Sequence, residues 1–542
     1  VGYIGNREAN EIVLKGIKRL EYRGYDCLNP NTLVQLSDGR ILPIKELCLN
    51  SKIFSLKLPS LASEEGSVVI KGKKEKNKVY KILTKHYYIE CSPEHKFFVY
   101  DSGKIVEKRA CELKAGDFLL ASGKISIKGK KQKLPNIQNT IYYRISAQDS
   151  KILKKLIREN QYSYNYLEGK TGIHHQYIKD YIEGKRATIK ERWEKIFNVL
   201  KVKNIKLKKE LSSHSFRSVL KCSYLTPQLS QVIGYLMGDG SRIESKKNSK
   251  IKVEDNKNTL KVYKNILKKL GISSILAKHK WKNCWQLRIY SAYLGKLFEK
   301  ISPQLFNYSE EREVPEIVQK SELKCVAGFL RGLFDAEGFV GERIGDGVEI
   351  FSSSKKLIQQ VQLLLLRMGI VSSFSFSRKG YLLTIYGLEN LRLFKRKVGF
   401  SSPLKIERLN KLIEKHKKSK RRGYILPLKI EALPSEIKKI IKRKEGYLFY
   451  EELKLLIKKL RRMRKFKNFY EFINRFFMNE AVLWSRIRKI EVSSSTHEMF
   501  DITVEPTKNF IANGIFVHNS CGVAFLKDNS IVIKKDVGKI DD

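Results

Sequence analysis

The sequence has 542 residues, more than one hydrophobic core supports, so we expect several domains. Hydrophobic residues make up 42% of the chain, which favours globular folding over disorder. The sequence shows neither a signal peptide nor an apolar run long enough to span a bilayer, so we expect a cytoplasmic protein without membrane contact. The eight cysteines form no C-x-x-C pair, which argues against a zinc site or a disulfide framework.

The charge balance is strongly basic. Lys and Arg number 107 against 56 Asp and Glu, giving a net charge of +51 that attracts polyanions. A uniformly lysine-rich composition, inherited from the genome or from adaptation to heat, is the alternative explanation. Clustering favours nucleic acid as a partner, because "KKSKRRG" (417–423) and "KKLRRMRKFK" (458–467) form separate blocks.

The first part of the chain changes its pattern at Cys27. Residues 1–26 indicate a strand, a turn and an amphipathic helix. Short β runs with turn signals follow over 27–125. The sequence therefore indicates a separate β-rich region that begins at this cysteine.

The region 126–215 is mainly helical in texture. Within it, "YLEGKTGIHHQYIKDYIEGKRATIKERWEKIF" has the layout of a helix-turn-helix, with a turn at Gly172. An ordinary helical hairpin is the alternative. If the segment binds DNA, the residues expected to contact a groove or a phosphate are Gln176, Tyr177, Lys179 and Lys185.

The region 216–402 repeats itself. "VIGYLMGDGS" begins at Val232 and "LRGLFDAEGF" at Leu330, so that two acidic residues, Asp239 and Glu337, lie 98 positions apart. The stretches "KKLGISS" and "LRMGIVSS" keep the same spacing, and "WQLRIYS" and "LLTIYG" follow in matching order. The repeats indicate a tandem duplication with a pseudo-two-fold axis.

The last part of the chain returns to β texture. A basic helical region (403–481) precedes a β-patterned segment (482–519), and the pattern changes again over 520–542. Joining "LEYRGYD" directly to "SCGVAFLKDNS" produces a continuous sequence that resembles the glutaminase domain of glutamine–fructose-6-phosphate aminotransferases. The resemblance implies that residues 27–519 interrupt a host enzyme.

Three stretches of the interrupting segment resemble inteins. These are "CLNPNTLV", "CSPEHKFFV" and "FIANGIFVHNS", in that order. The resemblance implies a multidomain protein with a mostly-β Hint splicing domain, a horseshoe built from 27–125 and 482–519. It also implies self-splicing without a cofactor.

The resemblance assigns the first junction to four residues. Cys27 would attack the Asp26 carbonyl and form a thioester, because a thiolate is a strong nucleophile and a good leaving group. His95 would protonate the departing amide nitrogen, while Ser92 and backbone N–H groups would polarise the junction carbonyl. Ser92 stands where the family usually has Thr and keeps the hydroxyl group.

The second junction follows the same logic. Ser520 would accept the acyl group, Asn519 would cyclise to a succinimide, and His518 would protonate the leaving group. Asp501 occupies a position that is often linked to catalysis in the family. Lys508 replaces a common histidine, which leaves the control of Asn519 cyclisation open.

The repeated motifs resemble the LAGLIDADG homing endonucleases. That family implies a pseudo-symmetric α/β nuclease in which Asp239 and Glu337 hold Mg²⁺ near the scissile phosphates. Glu337 replaces the more common Asp. The expected partner is double-stranded DNA at the uninterrupted host gene, bound by a monomer.

Two alternatives remain open from the sequence. The first is a DNA-binding intein whose splicing or nuclease chemistry has decayed. The second is a glutamine amidotransferase, whose activity would exist only after splicing and would need the rest of the host. The presence of Cys27, His95, Asn519 and Ser520 favours live splicing, and Asp239 with Glu337 favours live cleavage.

Overall fold

A computed structural model describes residues 26–58, 60–137, 142–202, 205–210, 220–244, 249–306, 309–342, 346–418, 424–441 and 445–519. The predicted host flanks, apart from Asp26, lie outside these residues, as does Ser520. The chain forms two compact bodies. The first comprises the described residues within 26–132, 225–238 and 307–519, and the second those within 133–224 and 239–306.

The predicted β-rich start is confirmed. Its strands are β1 (Leu33–Gln35), β2 (Ile41–Pro43), β3 (Lys52–Lys57), β4 (Ala62–Lys76), β5 (Val79–Thr84), β6 (Tyr88–Cys91), β7 (Lys96–Asp101), β8 (Lys104–Arg109) and β9 (Phe118–Ser122). Buried positions are frequent along β3, β7 and β9, as expected for strands that face a core.

The helix-turn-helix region folds around its own core in the second body. Its elements are β10 (Tyr142–Arg144), α1 (Ala147–Glu159), α2 (Tyr164–Thr171), α3 (His175–Ile182), β11 (Thr188–Ile189), α4 (Lys190–Leu200) and β12 (Lys208–Glu210). Gly172 ends α2 in the left-handed conformation (φ 68°), a cap that favours glycine. Trp193, Leu153 and Ile178 are buried in this core. The helical texture of the sequence gave no sign of the small sheet β11-β10-β12.

The two predicted repeats have identical topology. The first contains α5 (Pro227–Asp239), β13 (Gly240–Glu244), β14 (Ser249–Asp255), α6 (Lys257–Lys269), β15 (Ile275–Lys278), β16 (Trp285–Tyr290) and α7 (Ala292–Ile301). After a short α8 (Glu316–Gln319), the second contains α9 (Leu323–Glu337), β17 (Gly338–Val340), β18 (Val348–Ser352), α10 (Lys355–Arg367), β19 (Ser373–Ser377), β20 (Gly380–Ile385) and α11 (Leu388–Lys397).

Each repeat folds a four-stranded sheet in the same order. The first sheet runs β13-β14-β16-β15 and the second runs β17-β18-β20-β19. The duplication that the 98-residue spacing predicted is therefore visible in the backbone topology.

The basic region is only partly helical. It contains α12 (Pro403–Lys418), β21 (Ile425–Lys429), α13 (Ser435–Lys438), β22 (Tyr447–Phe449), α14 (Tyr450–Leu460) and α15 (Lys467–Phe477). Strands β21 and β22 pair as an antiparallel ribbon, which the helical pattern of the sequence did not indicate.

The last four strands pair with strands among the first nine. They are β23 (Val482–Ser493), β24 (His497–Glu505), β25 (Asn509–Ala512) and β26 (Ile515–His518). The main sheet has the order β2-β1-β25-β26-β7-β9-β23-β5-β6, with β8 on β7, and β24 joins β4 and β3 in a second sheet. Strands from 27–125 and from 482–519 therefore share the same two sheets. Among the described residues, no helix is both long and apolar enough to cross a membrane.

Helices α5 and α9 pack at backbone distance within the first body. A Cβ atom added at Gly332 would lie 1.9 Å from the Gln231 carbonyl oxygen, and one at Gly234 would lie 2.1 Å from that of Phe329. Only glycine fits at such a crossing, because any side chain would push the two backbones apart.

We expect Gly332→Ala to destabilise the first body by about 2 kcal/mol or more, because the added methyl group overpacks the crossing. Urea unfolding followed by circular dichroism, in a background of Cys27→Ala with Asn519→Ala, measures this change. The matched control is Gly169→Ala on α2, where an added Cβ meets nothing within 4 Å. That variant should gain up to about 1 kcal/mol. Equal unfolding midpoints for the two variants would contradict the close packing.

Candidate functional site: the two junctions and the paired helices

The first junction is held between two strands. Leu28 forms β-bridges with both Phe500 on β24 and Cys91 on β6. The Leu28 N–H donates to the Phe500 carbonyl (2.7 Å), and the Phe500 N–H donates back to the Leu28 carbonyl (2.9 Å). Cys27 is therefore fixed by its neighbour and is fully buried beside Val79 and Met499.

The Cys27 thiol is protonated at rest. Its pKa is raised to about 12, first by burial and then by the Asp501 carboxylate, against the opposing charges of Lys76 and Lys74. A thiolate is the nucleophilic form, so the proton must leave as the thiol attacks. Asp501, buried and on the strand paired with Leu28, is the carboxylate whose charge acts most strongly on this thiol.

Ser92 contacts the scissile peptide bond directly. The Cys27 N–H donates to the Ser92 hydroxyl oxygen at 3.0 Å, and the Ser92 N–H donates to the Cys27 carbonyl at 2.9 Å. The Ser92 hydroxyl thus contacts the amide nitrogen that is expected to leave during the acyl shift. This contact suits Ser92 to orient the leaving group, and its predicted contact with the junction carbonyl stays a prediction.

His95 stands in the same turn and is uncharged. Burial lowers its pKa to about 3, although the backbone of Asp26 favours the protonated ring. Both ring nitrogens are buried, and hydrogen bonding to the Asp26 backbone is what favours the protonated ring. An imidazole at this place is available to exchange a proton with the departing nitrogen.

Asp26 brings a second carboxyl group to the junction. Burial raises its pKa to about 7, and the charges of Asp501 and Glu94 add to the effect, against Lys96 and Lys76. At neutral pH this side chain is therefore close to half protonated. Two carboxyl groups that lie close together in a buried place are typical of acid–base sites.

The second junction lies at the end of β26. Asn519 is 2% exposed; its side-chain amide donates to the Val504 carbonyl (2.9 Å) and its backbone N–H to the Lys508 carbonyl (3.2 Å). The amide nitrogen, which is the atom that cyclises, is thereby held in a defined orientation. Lys508 itself has a positive φ of 53°.

His518 has a carboxylate neighbour that the sequence did not reveal. Its Nε2 lies 3.6 Å from Glu107 Oε1 on β8. Burial lowers the pKa of His518, Glu107 raises it, and Lys96 and Lys508 lower it. The Glu107 carboxylate thus stabilises the protonated His518 ring, whereas the Lys508 ammonium group destabilises it. The alternation "KIVEKR" in the sequence indicates only an exposed strand, so Glu107 had no recognisable signal.

The two junctions share a neighbourhood. Val517 pairs with Phe97 on β7, and the Phe97 ring lies 5.2 Å from the His95 ring. The charge of Lys96 acts on both Asp26 and His518. The structure therefore brings together Cys27, Ser92, His95, Asp501, His518 and Asn519, as the sequence predicted. Ser520 lies outside the described residues.

The paired helices form a second candidate site. Within the first body, a Cβ atom added at Gly238 would lie 2.4 Å from Ala336 and 3.0 Å from Glu337 Cγ. The Arg312 side chain donates to the Gly238 carbonyl at 3.1 Å and lies 3.7 Å from Glu337 Oε1. Asp239 is the next residue after Gly238, at the end of α5.

Glu337 has the chemistry of a ligand for a hard cation. Burial raises the pKa of its carboxyl group, while Arg312 and Lys405 lower it. An added cation stabilises a carboxylate that is shielded from water and only partly neutralised by its basic neighbours. Mg²⁺ in particular prefers oxygen ligands. The Glu337 carboxylate therefore suits the expected metal, and its pairing with Asp239 as a ligand set stays a prediction.

The predicted DNA-contact residues lie on and after α3. Gln176 and Lys179 are exposed, and Gln176 donates to Asp180 at 3.1 Å. The Tyr177 ring lies 4.8 Å from the Arg186 guanidinium. Lys185 pairs with Glu183 at 2.6 Å. Their role in binding DNA stays a prediction.

Comparisons with known proteins add two relationships. The family model described as "Intein splicing domain" matches residues 34–519. The glutamine–fructose-6-phosphate aminotransferase (isomerizing) of Methanocaldococcus jannaschii is 28% identical over 579 aligned positions, covering 96% of this chain and 52% of that protein. The chain thus spans about half the length of this relative.

Two solved structures overlap smaller parts of the chain. A crystal structure of I-DmoI in complex with DNA and Mn has a TM-score of 0.25 and 18% identity, covering 32% of this chain and 97% of that one. The crystal structure of the Ssp DnaB mini-intein variant M86 has a TM-score of 0.18 and 23% identity, covering 19% of this chain and 64% of that one.

We expect Asp501→Asn to have two opposite effects. Removing the negative charge should lower the pKa of Cys27 by about one unit, so that alkylation of this thiol below pH 9 becomes about tenfold faster. The acyl shift at Cys27 should instead slow by about a hundredfold, because the carboxylate no longer takes the thiol proton. Mass spectrometry of the Cys27 peptide after iodoacetamide treatment measures the first effect, and cleavage by added thiol measures the second.

The matched control for Asp501→Asn is Lys74→Met, which removes a charge of opposite sign. Lys74 lowers the pKa of Cys27, so this variant should alkylate more slowly than the parent. If Asp501→Asn slows both reactions alike, its carboxylate has no electrostatic effect on the thiol.

Proposed function

Because the chain belongs to the intein splicing domain family, we propose that residues 27–519 excise themselves and join the host segments on either side. The observation that carries this proposal is the shared neighbourhood of the two junctions. Cys27 and Asn519 belong to opposite ends of the excised segment, and both are buried beside strands that bring His95 and His518 together. Excision and ligation need the two ends at one place.

The first step transfers the Asp26 acyl group from nitrogen to sulfur. The Cys27 sulfur forms a bond to the Asp26 carbonyl carbon, and the bond from that carbon to the Cys27 nitrogen breaks. The thiol proton passes first to Asp501 and then, through the His95 ring, to the departing nitrogen, so that Asp501 and His95 both end in their starting protonation states. Ser92 holds that nitrogen during the exchange, through the 3.0 Å hydrogen bond that it already accepts.

The second step moves the acyl group to the host. The Ser520 hydroxyl attacks the thioester, its proton passes to the departing Cys27 sulfur, and a branched ester forms. The chain is then cut at Asn519, whose side-chain nitrogen attacks its own backbone carbonyl to give a succinimide. His518 protonates the leaving nitrogen of Ser520, and an ester-to-amide shift joins the host segments.

The flanks point to the host. Residues 1–26 and 520–542 resemble the glutaminase domain of glutamine–fructose-6-phosphate aminotransferases, and the chain is 28% identical to one such protein over most of its own length. We propose that splicing completes a host of this kind.

We further propose that the duplicated α/β region is a site-specific endonuclease for double-stranded DNA. Its support is the doubled topology and the glycine crossing of α5 and α9, which leaves Glu337 beside the end of α5. Asp239 and Glu337 would hold Mg²⁺, which when bound activates water and stabilises the leaving oxygen. The basic balance of the chain and the exposed face of α3 would bind phosphates.

We expect self-splicing to give a free 493-residue product and a ligated 49-residue flank product. Intact-mass analysis of the chain expressed with its flanks measures both. Cys27→Ala should prevent ligation, and Asn519→Ala should prevent release of the excised segment, since each removes one reacting atom. An unchanged 542-residue chain after prolonged heating would contradict the proposal.

The endonuclease proposal predicts cleavage of DNA that contains the joined codons for Asp26 and Ser520. With Mg²⁺ present, Glu337→Gln and Asp239→Asn should each reduce the cleavage rate by about a hundredfold or more, because a metal ligand is lost. Binding of the same DNA in gel-shift experiments should persist. The control Glu342→Gln changes an exposed carboxylate near α9 and should cleave normally. Normal cleavage by Glu337→Gln would contradict the assignment.

A further inference from the structure

A chain of polar contacts links the second nuclease repeat to the first splice junction. Lys355, the first residue of α10, extends its ammonium group to Glu90 Oε1 on β6 at 3.1 Å. Glu90 Oε2 accepts from the Asn29 side-chain amide at 2.9 Å, and the Glu90 carbonyl accepts from the Asn29 N–H at 3.1 Å. Asn29 lies two residues after the nucleophile Cys27.

The Tyr88 side chain contacts both members of the Lys355–Glu90 ion pair. The ammonium group lies 4.5 Å from the Tyr88 ring, and the Tyr88 hydroxyl donates to Glu90 Oε1 at 2.8 Å. The Glu90 side chain is only 17% exposed and that of Lys355 34%. Burial raises the pKa of Glu90, but Lys355 and the Tyr88 hydroxyl outweigh it, so that the net pKa is lowered.

From these contacts we propose that Lys355 is a positioning residue for splicing, which acts through Glu90 and Asn29 to hold Cys27 in place. The inference rests on the proposed splicing function. Its physical basis is that a partly buried carboxylate without its cation either takes up a proton or turns towards water. In both cases the Asn29 amide loses its charged acceptor.

Loss of the acceptor reaches the nucleophile through a short segment. Leu28 links Asn29 to Cys27 in the chain and is hydrogen-bonded to the backbone of Phe500. The Cys27 carbonyl accepts a hydrogen bond from the Ser92 N–H. Loosening at Asn29 therefore leaves fewer molecules with the thiol aligned on the Asp26 carbonyl. Attack at a carbonyl is sensitive to misplacement on this scale.

Other contacts keep α10 docked when Lys355 changes. The Gln362 side chain on α10 donates to the His86 carbonyl at 2.8 Å. The Gln360 side chain, also on α10, donates to the Ile41 carbonyl at 3.4 Å. Both contacts are buried, so a substitution at Lys355 removes a local support and leaves the first body assembled.

The experiment measures thiol-induced cleavage at Asp26–Cys27 in a background of Ser520→Ala with Asn519→Ala, where only the first step proceeds. Lys355→Met should slow this cleavage by about fivefold or more, the usual effect of losing a charge-assisted hydrogen bond. Lys355→Arg keeps the cation and should restore most of the rate. Asn519 cyclisation, measured in a Cys27→Ala background, should remain within about twofold of the parent in both variants.

The matched control is Lys356→Met. Lys356 is the next residue on the same helix and pairs with Glu313, so its removal changes the net charge equally. It should leave the cleavage rate unchanged. An equal loss in Lys355→Met and Lys356→Met would overturn the proposal, as would an equal loss of cleavage and cyclisation in Lys355→Met, which would indicate general destabilisation.

Hydrogen–deuterium exchange separates failure of this inference from failure of the splicing proposal. In a variant with both Cys27→Ala and Asn519→Ala, the amides of Leu28 and Asn29 should exchange faster with Lys355→Met than with Lys356→Met. Equal exchange would overturn the inference. A parent that shows no thiol cleavage would contradict the proposed splicing, and the exchange result would still decide whether Lys355 holds the junction segment.

Discussion

The pairing of Leu28 with both β6 and β24 is the constraint on which the splicing centre depends. These strands come from opposite ends of the splicing region, and Leu28 is bridged to Cys91 on one and to Phe500 on the other. The backbone hydrogen bonds between Leu28 and Phe500 form only when β24 has packed beside the N-terminal strands. Because Cys27 precedes Leu28, the nucleophile reaches its place only in the completed fold, which limits premature attack.

Desolvation keeps this centre close to electrically neutral. It raises the pKa of Cys27 to about 12 and that of Asp26 to about 7, and it lowers that of His95 to about 3. The acyl shift converts a neutral thiol and amide into a neutral thioester and amine. A dry site therefore suits the reaction, provided that the few charged neighbours, Asp501 and Lys76 among them, stabilise the proton in transit.

The sequence predicted the parts that carry local signatures. The segments around Cys27, His95 and Asn519 were recognisable because the chemistry requires particular residue types at particular spacings. The duplicated helices were recognisable because Gly234 and Gly332 must be small at the crossing. The β10–β12 sheet and the β21–β22 ribbon escaped prediction, since strands of two to five residues inside basic, helix-like sequence leave little periodicity.

The contacts that depend on tertiary structure could not be predicted in this way. Glu107 meets His518, and Glu90 meets Lys355, across long separations in sequence. A charged residue on an alternating strand has the same pattern whether its partner is solvent or a catalytic group. Partner choice is fixed by the packing of distant elements, which a single sequence does not display.

The second repeat packs against the splicing domain and gives it structural support. Arg367, at the end of α10, is buried, and its guanidinium donates to the carbonyl groups of Ile127, Gln319 and Ser321. The Ile125 N–H donates to the Leu366 carbonyl at 3.1 Å. Removing the repeat would leave these groups without partners in an apolar setting, which is costly. The second repeat is therefore a structural part of the first body, and through Lys355 it contacts Glu90, which in turn holds Asn29 two residues after the reacting thiol.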